Sequence, residues 1–146
     1  MLRAKPTAVV SSGSYETLGM LVAPCSVKTL AGIATGFADD LVVRAADVVI
    51  KEQRKLVLMV RESPFSAIHL ENMLALARMG VSIVPPMPAF YTHPESIDEL
   101  VDHIVTRALD QFGLHSDVTR RWDGHLDTAA DKVADTTSNA SPKVAT

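Results

Sequence analysis

The 146-residue sequence predicts an α/β fold with a mostly parallel sheet and helices packed on both of its faces. Three observations predict it. Short aliphatic runs at Met20–Ala23, Leu56–Val60 and Val81–Val84 read as strands, and segments with helical apolar spacing lie between them. Strands alternating with helices build βαβ units, whose right-handed crossovers bring helices against the sheet. The run Leu56-Val57-Leu58-Met59-Val60 contains no polar residue, the pattern of a parallel strand buried on both faces.

In chain order, residues 7–10 are strand-like and lead into the polar turn Ser11-Ser12-Gly13-Ser14. Met20–Ala23 is a short strand ending at Pro24. Ser26 is placed to cap a helix through Leu30 and Ile33 that Gly36 ends. A second helix is expected from about Asp39 to Gln53, with Leu41, Val42, Ala45, Val48 and Val49 at helical spacing. After the Leu56–Val60 strand, Ser63-Pro64 reads as an N-cap followed by proline at the first helical position. That helix carries Ile68, Met73, Leu74 and Ala77 and stops at Gly80. Prolines 85, 86 and 88 break the next strand. Ser96 and Glu99 match a reciprocal capping box. The helix behind it repeats Ile97, Leu100, Val101, Ile104, Val105, Ala108 and Leu109 and ends at Gly113. One domain over residues 1–126 is expected, followed by a disordered tail, 127–146, that lacks large apolar side chains.

Composition removes several function classes. The formal net charge is −3, with acids and bases interspersed, which argues against a general nucleic-acid binder. No apolar run approaches the ~20 residues needed to span a bilayer. Cys25 is the only cysteine, so no intrachain disulfide forms and a reducing, cytoplasmic location is expected. The five histidines show no metal-binding spacing, and there is neither a cysteine pair nor a GxSxG elbow. Metal-dependent hydrolysis and Ser or Cys triad chemistry are therefore not expected.

In an open α/β sheet, ligands bind at the carboxyl ends of the strands. Pro24-Cys25-Ser26-Val27-Lys28-Thr29 sits at such an end, where a helix start offers free amides and positive dipole to an anion or a flavin edge. A capped core helix without a ligand is the alternative. Arg61-Glu62 follows the Leu56–Val60 strand directly, and a surface ion pair is the alternative there. Arg44 and Lys51 lie seven residues apart on one helical face and could reach a shared anion, or form a solvated basic stripe. The segment PPMPAFY (85–91) is a stiff loop ending in Tyr91, whose phenol could donate to a phosphate or cover the core. Arg107 is a mid-helix cation, and Trp122 an isolated anchor beyond the last helix.

The order and context of these residues are more specific than any one of them. APCSVKTLAGIATGFADDLVVRAADVVIKE (Ala23–Glu52), LVLMVRESPFSAIHLENMLALARMG (Leu56–Gly80) and PPMPAFYTHPESIDELVDHIVTRALDQFG (Pro85–Gly113) resemble the UbiX/Pad-type flavin prenyltransferases, nearest to those that accompany phenolic-acid decarboxylases. The resemblance runs from about Ser11 to Gly124. It implies a flavodoxin-like, Rossmann-like doubly wound fold. It also implies metal-independent transfer of a dimethylallyl group from dimethylallyl phosphate to reduced FMN, yielding prenylated FMN for a UbiD-type decarboxylase.

By the same resemblance, Ser26, Val27, Lys28, Thr29 and Arg44 contact the flavin. Lys51, Arg61, Glu62, Tyr91 and Arg107 surround the prenyl phosphate, with Glu62 and Lys51 in the catalytic step, and Trp122 closes the site. The family forms homo-oligomers with sites at subunit interfaces. Its first strand, its Gly/Ser-rich flavin-phosphate loop and a site glutamate have no counterpart before Ser11, so an N-terminally truncated domain is expected. A non-catalytic flavin-binding or assembly subunit of a decarboxylase complex, or an inactive remnant, is the alternative. Direct decarboxylation of the cysteine-decarboxylase kind is disfavoured by the cluster of cations suited to a phosphate.

Overall fold

The computed structural model describes Gly13 and residues 16–115. The strand read at residues 7–10, Trp122 and the expected tail lie outside these residues. Eight elements follow in order: β1 (Gly19–Cys25), α1 (Val27–Thr35), α2 (Leu41–Lys51), β2 (Lys55–Val60), α3 (Ala67–Arg78), β3 (Ser82–Ile83), a 3₁₀ turn (Phe90–Thr92) and α4 (Ile97–Asp110). The three strands form one parallel sheet in the order β1-β2-β3. Met20 pairs with Leu56, Leu21 with Val57 and Val22 with Leu58, and the register shifts before Cys25 meets Val60.

The apolar run that predicted a doubly buried strand is the sheet's centre. Leu56, Val57, Leu58 and Val60 are all buried. Successive strand residues face opposite ways, and the packing follows that rule. Leu56, Leu58 and Val60 join Leu30 and Ile33 of α1, Val43, Ala46 and Val49 of α2, and Leu76 of α3 in one core. Val57 is buried outside that cluster and shares the other face with Leu21 and Gly19. On that face Phe112, just beyond α4, lies against Gly19, where an added Cβ would stand 2.8 Å from the ring. Burying a Leu or Val completely stabilises by about 1.5–3 kcal/mol, so β2 and the helices on it form the stable centre of the fold.

Local chemistry sets the helix ends. Ser26 caps α1 by accepting from Thr29 N at 3.1 Å, and Gly36 ends it in the left-handed conformation at φ 69°. Asp40 caps α2, accepting from Val43 N at 2.8 Å.

Three expectations need correction. The third helix starts at Ala67, three residues beyond Pro64, because Ser66 and His69 cap each other: His69 N donates to Ser66 Oγ at 3.3 Å and Ser66 N donates to His69 Nδ1 at 3.2 Å. Before α4, Ser96 accepts from Glu99 N at 3.2 Å, but the Glu99 carboxylate accepts from Glu95 N at 2.9 Å, one residue short of the reciprocal box. The expected apolar faces of α3 and α4 are only partly covered, with Met73 packed against the core and Ala108 buried. Leu76 is the buried residue of α3, whereas Ile68 and Leu74 are exposed. Thr106 and Ala108 are buried on α4, while Ile97, Val101 and Val105 lie open. Among the described residues, no helix is long and apolar enough to cross a membrane.

Candidate functional site

The carboxyl ends of β1 and β2 are tied together by Arg61 N, which donates to Cys25 O at 3.2 Å. This backbone bond sets the Arg61-Glu62 pair beside the start of α1. There the Ser26 and Thr29 hydroxyls lie 3.0 Å apart, and capping commits Thr29 N to Ser26 Oγ. The amides of Val27 and Lys28, in the first turn, point out of the helix. Together with the exposed hydroxyls they suit the polar edge of a flavin ring, so these residues fit that group. Lys28 reaches Asp39 at 3.5 Å, which links the first turn of α1 to the residues that start α2. Arg44 stands one turn into α2 and pairs with Asp47 at 2.6 Å.

Glu62 is half-buried, and its carboxylate accepts from Ser63 N at 3.0 Å. Tyr91 lies at the same end of the sheet. Val84 N donates to Leu58 O at 2.9 Å, fixing the root of the proline-rich loop on β2, and Ala89 is buried at its far side. Thr92 then closes the 3₁₀ turn through its hydroxyl on Ala89 O at 2.7 Å. The Tyr91 side chain stands exposed on this braced turn.

Two predicted site residues are elsewhere. Lys51 ends α2, four residues before β2 begins, so β2 separates it from Arg61. Six strand residues span about 17 Å, more than either side chain can bridge. Lys51 pairs instead with Glu52 at 2.9 Å, and this hydrogen bond and charge hold the Glu52 carboxyl below the usual carboxylate range. Arg44 and Lys51 thus engage different carboxylates. Arg107 is on α4, five residues before Phe112, which touches the first residue of β1. Lys51 and Arg107 therefore lie toward the amino ends of the strands, while Ser26–Thr29, Arg61, Glu62 and Tyr91 lie at the carboxyl ends. A cavity of about 570 Å³ also opens at the amino side, lined by Ile50, Gln53, Arg54, Lys55, Leu56, Met79, Gly80 and Val81.

Of the predicted site cations, Lys28, Arg44, Lys51 and Arg107 each hold a carboxylate within 4 Å. Arg61 holds none among the described residues, which leaves its guanidinium available to an incoming anion. The acids were missed by the sequence reading. Two of them carried a visible signal, since Arg44-Ala45-Ala46-Asp47 and Arg107-Ala108-Leu109-Asp110 repeat one R-A-x-D spacing that suits an i,i+3 ion pair. Cys25 is fully buried, and burial pushes its thiol up to about 11. It is consequently protonated near neutral pH and a poor nucleophile. Among the described residues no three His, Cys, Asp or Glu side chains converge.

Residues 5–109 match the Flavoprotein family. The chain is 66% identical over 121 residues to a probable UbiX-like flavin prenyltransferase of Escherichia coli, a match covering 83% of this chain and 61% of the relative. It is similar, at TM-score 0.79 and 66% identity, to the crystal structure of a dodecameric FMN-dependent UbiX-like decarboxylase from Escherichia coli O157:H7, covering 83% of this chain and 65% of that one. A UbiX structure in complex with FMN and dimethylallyl pyrophosphate is similar at TM-score 0.78 and 54% identity, covering 80% of this chain and 62% of that one. The chain thus spans about three-fifths of the length of the relatives it matches.

Proposed function

This chain belongs to the Flavoprotein family, and from that membership we propose that it acts in flavin prenyl transfer, moving a dimethylallyl group from dimethylallyl phosphate to reduced FMN. The observation that carries the proposal is the Arg61–Cys25 backbone bond. It sets a guanidinium that holds no carboxylate among the described residues, and an adjacent Glu62, beside the hydroxyls and amides that open α1. The 66% identity to a UbiX-like flavin prenyltransferase supports the same reading.

In this reading Ser26, Val27, Lys28, Thr29 and Arg44 hold the flavin ring, and reduced FMN when bound supplies the electron-rich carbon and nitrogen that accept the prenyl group. The allylic C–O bond of the donor breaks, and its electron pair leaves with the phosphate. Arg61 takes the developing phosphate charge, and the Tyr91 hydroxyl donates to it. Glu62 carries the proton that substitution releases. Holding donor and acceptor in register replaces an encounter in solution, a large part of the rate gain.

Lys51 and Arg107 complete the phosphate site from another copy of the chain. The distance across β2 supports this, as does the dodecameric assembly of the similar Escherichia coli protein. Prenylated FMN then passes to a UbiD-type decarboxylase. The cytoplasm is the compartment this reading assigns, in keeping with a single free cysteine.

The test is anaerobic incubation of the purified protein with reduced FMN and dimethylallyl phosphate, with the diphosphate in a parallel arm. Wild-type protein is expected to form prenylated flavin from the monophosphate. Arg61→Gln should be slower by about 100-fold, the scale for loss of one charge-stabilising donor. The separation of Lys51 from Arg61 favours one other reading, a flavin-holding subunit of a decarboxylase assembly. Flavin retention and co-purification with a decarboxylase, without prenylated product, would establish that reading instead.

A further inference from the structure

Asp110 is the last residue of α4. A carboxylate there opposes the helix dipole, whose negative end lies at the C-terminus. Its side chain is also only 12% exposed, whereas that of Arg107 is 60% exposed. An acid placed against the dipole and withdrawn from water costs stability unless its contacts do something in return.

Both carboxylate oxygens are engaged. Arg107 Nη1 donates to Oδ2 at 3.2 Å, and His115 Nδ1 lies 3.4 Å from Oδ1. A guanidinium has five N–H donors in a rigid fork. Asp110 occupies one and leaves the rest of the fork in solvent. Arg44 repeats the arrangement with Asp47 on α2, again three residues on.

We propose that Asp110 is a positioning residue for Arg107: gripped by His115 on one oxygen, it fixes the guanidinium with its other edge presented to the substrate phosphate. The inference rests on the prenyl-phosphate reading of Arg107 given above. It adds a division of labour, in which Arg107 contacts the anion while Asp110 sets the direction of that contact and never touches the substrate. A long arginine side chain free to sample its rotamers loses that freedom on binding. One already held gives up less, so the benefit of Asp110 lies in affinity for the phosphate.

The test is calorimetric titration of the full chain, loaded with FMN, with dimethylallyl phosphate, alongside thermal melts. Wild type, Asp110→Asn, Asp110→Glu, Arg107→Ala and the Asp110→Asn/Arg107→Ala double variant are compared. Asp110→Asn is expected to raise Kd about tenfold, with Asp110→Glu recovering most of the loss. Adding Asp110→Asn to Arg107→Ala should change Kd by less than twofold, because the arginine it orients is gone. Should Asp110→Asn fail to fold, His115→Gln in the presence and absence of Arg107 carries the same comparison, with an expected loss of about threefold. Equal losses in both arginine backgrounds, or a lowered melting temperature with unchanged Kd, would overturn the inference. Absence of any wild-type binding would overturn the reading of Arg107 beneath it, a result distinct from binding that ignores Asp110.

Discussion

At the scale of single residues, position relative to a strand end decides which side chains can do chemistry. Arg61 and Glu62 were legible in the sequence because two charges straight after an all-aliphatic strand must emerge at its carboxyl end. Their junction with Ser26 was not legible, since it depends on a backbone bond between strands 36 residues apart, Arg61 N to Cys25 O. The carboxylates paired with Arg44 and Arg107 were visible as spacing, but only side-chain geometry says which oxygens are taken. Cys25 illustrates the opposite case, a potentially reactive residue made inert by burial. Its thiol is raised from 9.0 to about 11. The folded state therefore keeps a proton that the unfolded chain loses, so the contribution is complete below pH 9 and is lost as pH rises toward 11. Cys25→Ala should show a smaller drop in stability over that interval than wild type, measured by urea melts at successive pH values. A disulfide reagent at pH 8 should label wild-type Cys25 only at the rate of unfolding; rapid labelling of the native protein would contradict its burial.

At the scale of elements, the sequence foretold the three described strands and most of the helix ends, because aliphatic runs, capping serines and terminal glycines act locally. The start of α3 was misread because Ser63-Pro64 and Ser66 both offer plausible caps. The choice fell to Ser66, whose partner His69 returns the bond. Helix faces were only partly legible for a different reason: Leu76 and Leu74 have the same apolar character, and only packing against α1 and β3 selects between them. The β1–β2 pairing depends on Gly19, at φ 149°, where a Cβ would collide with Lys55 O and the Phe112 ring. Gly19→Ala should destabilise by about 2–3 kcal/mol, read as a lower urea midpoint. An unchanged midpoint would mean that Gly19 does not sit against Lys55 O and the Phe112 ring as described. Strain at this end of the sheet leaves the Arg61–Cys25 junction in place, so residual flavin binding by folded Gly19→Ala should match wild type.

At the scale of the whole molecule, the predicted site residues divide between the two ends of one sheet. Ser26–Thr29, Arg61, Glu62 and Tyr91 gather at the carboxyl ends, and Lys51 and Arg107 lie toward the amino ends. No periodicity in the sequence distinguishes a site made within one chain from one shared between copies. Within one chain β2 holds Lys51 away from Arg61 by more than side chains can span, which supports the proposed sharing of the site between copies. A shared site predicts complementation: Lys51→Ala and Arg61→Ala proteins, each inactive alone, should regain up to about a quarter of wild-type activity when co-assembled at equal ratio, as random pairing restores one intact combination in four. No recovery in verified mixed assemblies would mean that the two residues do not serve one site. The most direct measurement follows the transferred group itself. Dimethylallyl phosphate carrying isotope label in its carbon chain is incubated anaerobically with the protein and reduced FMN, and the flavin is then extracted and weighed by mass spectrometry. The account predicts label bound covalently to flavin, in an amount that falls steeply with Arg61→Gln. Unlabelled FMN recovered from protein that demonstrably binds both ligands would contradict it.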